Sequence, residues 1–261
     1  MPADRPVIGI CSPTFSDLAY NRQCAPQYAA AVRQAGGEPL EITLQNDAPA
    51  LQAVLRQCAG FVLPGSPADV DPARYGEARE DGTAAADPTR ECTDQSILEH
   101  AEQSGKPVLG VCFGAQFMNT WRGGTLVQDL SPLPVNHSAG SSVAVAHTAL
   151  VASTSLLGGL LSGSEAPNDG PFRRLPVNSS HHQAISMPGQ DLVVVARCPE
   201  DGTVEAVEGR VGLSPMLGVQ WHPERSFESS PASLSLFLWL VSSAADVLEN
   251  AHEGDHGHLA W

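Results

Sequence analysis

Residues 106–116, K-P-V-L-G-V-C-F-G-A-Q, leave the chain few folds to adopt. The apolar run Val108–Val111, entered by a proline, is too short for a helix and reads as a buried parallel strand, whereas 114–121 carries apolar residues at helical spacing. Cys112 stands between the two, flanked by Gly110 and Gly114, at a sharp strand-to-helix turn that needs small neighbours. The N-terminus of the following helix offers unpaired N–H groups and the positive end of a dipole, both of which favour thiolate over thiol. A free cysteine is more commonly a buried structural residue. The glycine flanks, with a histidine and a glutamate downstream, turn the reading towards Cys112 as a nucleophile.

An elbow of this kind needs a parallel sheet behind it, and the residues before it supply one. Short apolar runs at 6–10, 40–44 and 60–63 alternate with helical spacing at 24–36, 48–58 and 88–104. That rhythm predicts an α/β fold, an open and mostly parallel sheet covered by helices on both faces. After 123 the texture changes: 143–151, 193–197 and 203–207 are β-branched and alternating, which predicts antiparallel strands appended to the parallel core. A last helical run at 234–248 closes one domain, 1–248. Residues 249–261, whose stretch 252–258 holds only glycine and polar groups, three of them histidines, are expected to be disordered.

The formal charge of −15 argues against a nucleic-acid backbone or an anionic membrane as partner and leaves small molecules as guests. No apolar run reaches eighteen residues, and the N-terminus enters a strand without a signal-peptide core, so a cytoplasmic protein is expected. Six cysteines without C-x-x-C spacing suit reduced thiols, with neither a disulfide framework nor a zinc knuckle.

Two further stretches belong with the elbow. In 64–72, P-G-S-P-A-D-V-D-P, a loop follows a parallel strand and so lies at the sheet edge where such folds bind ligands. The main-chain N–H groups of Ser66 and Phe113 are the natural pair for an oxyanion hole. In 216–224, a strand ends on His222, with Glu224 two residues on. His-Pro-Glu alone is weak evidence; with a cysteine elbow upstream, His222 is placed to take the thiol proton and Glu224 to fix the imidazole tautomer. The polar turn at 178–183 contains His181 and His182, read with equal weight as site lining or as solvated residues, while His137 and His147 read as ordinary strand or loop residues. Residues 74–88 form an irregular excursion whose Glu77, Glu80, Asp81 and Asp87 outnumber Arg74 and Arg79. As a lid, that acidic rim would favour a cationic leaving group.

Together G-V-C-F-G-A-Q and Q-W-H-P-E resemble the class I glutamine amidotransferase-like superfamily. R-P-V-I-G-I, Y-A-A-A-V-R-Q-A-G-G-E-P-L, G-F-V-L-P-G-S-P-A-D-V-D-P-A-R-Y-G and V-N-S-S-H-H-Q-A narrow the resemblance to the γ-glutamyl-γ-aminobutyrate hydrolase family, over roughly 5–240. The resemblance implies a flavodoxin-like sheet, Cys112, His222 and Glu224 as nucleophile, acid/base and orienter, and Gln116 at the glutamyl subsite. Gly65 and the turn Ser179, Ser180 and His181 are expected to complete that subsite. The implied reaction is hydrolysis of a γ-glutamyl amide through a cysteine thioester, with no metal and no organic cofactor. The alternative is a glutaminase subunit passing ammonia to a synthetase partner; a homo-oligomer is left open. Two positions depart from the hydrolase pattern: Phe113 where many members carry arginine, and Ser66 where a glycine pair is usual.

Overall fold

The computed structural model describes residues 5–44, 47–210 and 214–256. The first half alternates β1 (Val7–Cys11), α1 (Leu18–Gln34), β2 (Glu38–Ile42), α2 (Ala48–Gln57), β3 (Gly60–Leu63), α3 (Pro88–Ser104), β4 (Val108–Val111) and α4 (Phe113–Trp121). The second half adds β5 (Leu126–Val127), β6 (His147–Ala152), α5 (Leu156–Leu160), β7 (Asn168–Asp169), β8 (Phe172–Val177) and β9 (Ala184–Ile185). It closes with β10 (Leu192–Arg197), β11 (Val204–Gly209), β12 (Met216–Val219) and α6 (Pro231–His256).

Ten strands form one sheet in the order β2-β1-β3-β4-β12-β11-β10-β6-β8-β7; β5 and β9 pair separately. The ladder is parallel from β2 to β12 and antiparallel from β12 outwards. Val62, Leu109 and Val111 point into one core with α1 and α6, and Phe61, Leu63 and Val108 into the other with α2, α3 and α4. Both faces are therefore covered, as the continuous apolar character of these strands requires. The expected parallel core with appended antiparallel strands is the observed one, although the antiparallel pairings, five against four, are the more numerous.

Several boundaries differ from expectation, each for a local reason. α1 begins at Leu18, where the Asp17 side chain caps the Tyr20 N–H, and it runs through Pro26. Residues 18–23 show no apolar period, so the first turns are invisible to hydrophobic spacing. The helix α6 continues to His256 rather than ending at 248; the remainder of the expected tail, 257–261, lies outside the described residues. Residues 231–250 are, among the described helices, long and apolar enough to cross a membrane. Leu236, Phe237, Leu240 and Ala244 of this helix are instead fully buried in the core, which explains its apolar character.

The excursion at 74–88 is tied down. The Gln128 side-chain oxygen accepts from the Glu80 N–H and the Thr83 hydroxyl, and Asp69 accepts from the Ala84 N–H at 2.6 Å. Asp87 is turned inward, accepting from Thr14 Oγ1, the Phe15 N–H and the Arg90 N–H while capping α3.

Candidate active site

β4 and β12 are neighbours in the centre of the sheet, in register from Val108 opposite Met216 to Val111 opposite Val219. Cys112 follows the first and His222 the second, so a ladder of main-chain hydrogen bonds, ending in Cys112 N–H to Val219 O at 2.8 Å, sets their separation. Cys112 has φ 51° and ψ −108°, a non-glycine residue held in the left-handed region. Such backbones cost about 1–3 kcal/mol and persist where the surroundings impose them. Here α4 packs so closely behind the turn that a Cβ on Gly114 would stand 2.0 Å from the Leu63 carbonyl oxygen. A nucleophile elbow is expected to expose its cysteine, but here Cys112 is only 6% accessible, closed over by the loop after β3 and by the ring of His222.

That closure explains Gly65. A Cβ there would meet His222 Cε1 at 2.8 Å and Cys112 Cβ at 3.5 Å, so the imidazole lies directly over the glycine. Three separate segments thus converge on one point. His222 Nδ1 lies 2.8 Å from Glu224 Oε1, both side chains being buried. Asn178 clamps the histidine from behind: its amide donates to His222 O at 2.8 Å and accepts from His222 N–H at 2.9 Å. Burial opposes charge on the imidazole, but Glu224 and Cys112 outweigh it and push its pKa up to about 9. The arrangement favours an imidazolium beside the sulfur, with Nδ1–H committed to Glu224 and Nε2 left for proton transfer.

Arg90 and Tyr28 hold this centre in place. Arg90, fully buried on α3, pairs through Nε with Asp94 at 2.8 Å and donates to Pro13 O and Pro64 O, both at 2.7 Å. Its guanidinium also lies over the Phe113 ring, 4.9 Å from the centroid. One cation therefore braces the loop that leads into Gly65 and the first residue of α4. Tyr28 Oη accepts the Gly65 N–H at 3.1 Å. Tyr28→Phe leaves that buried donor without its partner, a loss of about 1–3 kcal/mol. We expect a lower kcat with little change in KM, and an unchanged kcat would show that Tyr28 does not position the loop.

Of the other residues expected at the site, Gln116, Ser179 and His181 are committed elsewhere. Gln116 Nε2 donates to Gln183 O and Gln220 Oε1 in the interior. Ser179, with no accessible surface, donates its hydroxyl to His137 O. His181 is buried, its Nδ1 at 2.8 Å from Gln183 O and its N–H bonded to His137 O. Ser180 does reach the open side, accepting from Arg225 Nη1 at 2.9 Å, and His182 pairs with Asp69 at 2.9 Å. A cavity of about 780 Å³ reaches Ser66, Ser180 and Glu224; its far wall is Tyr20, Gln23, Cys24 and Gln27 of α1. Residues 74–88 do not line it, and it carries Arg225 as well as Glu228. The acidic rim that would favour a cationic leaving group does not face this cavity.

The fold, with its cysteine turn after one central strand and its His-x-Glu after the next, is that of the class I glutamine amidotransferases. It is shared by a Thermoplasma acidophilum protein described provisionally as a GMP synthase subunit (TM-score 0.65, 16% identity, 95% of this chain and 98% of that one). It is also shared by the glutaminase domain of Trypanosoma brucei CTPS with bound acivicin (TM-score 0.58, 16% identity, 92% and 94%). The chain belongs to the Peptidase C26 family, whose model matches residues 6–224. Among curated relatives, the γ-glutamyl-γ-aminobutyrate hydrolase PuuD of Escherichia coli is 32% identical over 247 residues, covering 90% of this chain and 91% of that protein. Protein NtpR of Enterococcus hirae is 30% identical, covering 90% and 98%. A Mycobacterium tuberculosis protein, Rv2859c, named provisionally as a glutamine amidotransferase, is 35% identical over 221 residues, 84% of this chain and 66% of its own length. This chain thus spans just under two thirds of that relative.

Proposed function

We propose that this protein hydrolyses the γ-glutamyl amide bond of a small γ-glutamyl amine, releasing glutamate and the free amine. The observation that carries the reading is the line Cys112, His222 and Glu224 at the ends of two adjacent central strands, with Nδ1 of the histidine 2.8 Å from the glutamate. In this reading the Cys112 sulfur attacks the γ-carbonyl carbon and the C–N bond breaks. His222 gives its proton to the departing nitrogen, and a water molecule deprotonated by the same imidazole opens the thioester. The N–H groups of Ser66 and Phe113 hold the oxyanion. Gly65 contributes by its missing side chain, since its own N–H is taken by Tyr28. Neither metal nor organic cofactor enters these steps. Six free thiols support a reducing, cytoplasmic setting.

The choice of a γ-glutamyl amine is supported by the named activity of the Escherichia coli relative, and the glutaminase alternative by the synthase and glutaminase names of the structural neighbours. One screen separates them: glutamate release from γ-glutamyl-aminobutyrate, a γ-glutamyl-diamine and glutamine. Turnover of the first two without a partner protein supports the proposal, and turnover of glutamine alone overturns it.

The electrostatics make a pH prediction. The imidazolium is the form that protonates the leaving amine, and its pKa is raised to about 9. We therefore expect kcat/KM to hold through neutrality and to fall as pH rises through about 9. Glu224→Gln keeps the shape but removes the charge that raises this pKa most, so the fall moves to lower pH and kcat drops at least about tenfold, roughly 1.4 kcal/mol. Activity within about twofold and an unmoved alkaline limb would remove Glu224 from the orienting role.

A further inference from the structure

Behind the catalytic histidine lies a second group of chemistry-bearing side chains that the proposed reaction does not use. His137 from the loop after β5, His147 at the start of β6, His181 from the turn after β8 and Glu205 on β11 are all buried. One ligand-type atom from each lies within 4.8 Å of all the others. His137 Nδ1 and His147 Nε2 are 3.5 and 3.4 Å from the same oxygen, Glu205 Oε1. His137 Nδ1, His147 Nε2, His181 Nε2 and both Glu205 oxygens have no hydrogen-bond partner among the described residues. Five buried polar atoms directed at one another without a partner are a heavy cost for an interior, because each has given up water.

The opposite edge of every ring faces an acceptor. His137 Nε2 faces Asp201 Oδ2 at 2.8 Å, His181 Nδ1 faces Gln183 O at 2.8 Å, and His147 Nδ1 faces Thr148 O at 3.4 Å. All three partners are acceptors: those of His137 and His181 hold the ring N–H and turn the lone pair of the other nitrogen towards Glu205, while Thr148 O, at the longer distance, only biases His147 the same way. This is how the outer shell of a metal site fixes tautomer and ring orientation. The spacing agrees. Tetrahedral ligands at metal–ligand bonds of about 2.0–2.1 Å stand about 3.4 Å apart, which is too far for a strong hydrogen bond and close to the two separations found.

We propose that His137, His147, His181 and Glu205 form a closed, four-ligand site for a zinc-type divalent transition-metal ion. Three imidazoles and a carboxylate with no position turned to solvent make it structural in kind. The ion neutralises a carboxylate that no Lys or Arg among the described residues pairs with, and it ties the antiparallel extension to the turn that carries Asn178, the clamp on His222. His137 and His147, expected from the sequence to be ordinary strand or loop residues, become ligands in this reading. The proposal does not depend on the substrate.

The test uses the full chain purified without a histidine tag. After gel filtration we expect close to one equivalent of zinc per chain by mass spectrometry. Chelator-stripped protein should bind Co2+ with the visible d–d bands of a tetrahedral site, and its thermal midpoint should rise on adding Zn2+. Glu205→Gln should weaken Co2+ binding at least tenfold, whereas Cys112→Ala and replacement of the tail residues His252, His256 and His258 by alanine should leave it unchanged. If Glu205→Gln does not fold, the stripped wild-type protein decides. The alternative is a protonated Glu205 sharing its proton with one imidazole. Stripped protein that shows neither cobalt bands nor a shift with Zn2+, or binding that disappears with the tail histidines, would overturn the metal site in its favour.

Discussion

Cys112→Ala should abolish glutamate release while the protein stays folded. The substitution removes one sulfur, leaves the φ 51° turn in place and opens little volume, so the stability change should be about 1 kcal/mol or less. The chemical effect is total if the sulfur is the attacking atom, because no other thiol stands at the end of β4. The same variant deprives His222 of one of the two groups that raise its pKa, so its imidazole should titrate below 9. Cys112→Ser should be nearly as inactive, since a hydroxyl needs a stronger base than an imidazole that is mostly protonated at neutral pH. Wild-type-like turnover by Cys112→Ala would end the covalent proposal.

The second large effect is expected at Arg90. Arg90→Ala leaves the buried Asp94 carboxylate without the guanidinium that pairs with it, and it strips donors from Pro13 O and Pro64 O. Breaking one side of a buried pair costs about 3–5 kcal/mol. Removing both charges together should restore much of that, so Arg90→Met with Asp94→Leu is expected to be far more stable than Arg90→Ala. It should remain catalytically poor, because the carbonyl of Pro64 is still unheld next to Gly65 and Phe113 has lost the cation over its ring. Urea unfolding and kcat for the two variants give the comparison; a loss under about 1 kcal/mol for Arg90→Ala would show that the pair carries no such burden.

The contrast between Cys112 and Arg90 shows what a sequence of this kind reveals. Local rules made the elbow, the alternating strands and the helix at 88–104 legible, since proline entry, apolar spacing and glycine flanks act within a few residues. The line from Cys112 to Glu224 could be inferred because each motif is short and chemically distinctive. Arg90 and Asp94 were not, although their i, i+4 spacing is plain, because such pairs usually sit on a wet helix face and nothing in the spacing says that this one faces inward. The polar turn at 178–183 misled for the same reason. Its residues look like a ligand-binding loop, yet Ser179 and His181 turn their side chains into the interior, and the turn's part at the site is played by Asn178. β8, which follows β7 and pairs along six residues with β6, begins F-R-R and so left no apolar alternation to read.

The position of β12 has a consequence for how the protein comes into being. It is the last strand in chain order among the described residues, yet it lies in the middle of the sheet, flanked by β4 and β11. Until residues 216–219 emerge, those two strands face each other across a missing rung, with unpaired edges that invite other chains. Cys112 and His222 therefore meet only after translation has passed residue 222, and their contact spans more than a hundred residues, a slow kind of event. A nascent chain that has not reached residue 222 would hold Cys112 without His222, so the proposed amide-cleaving centre would stay inert until both of its central strands are made.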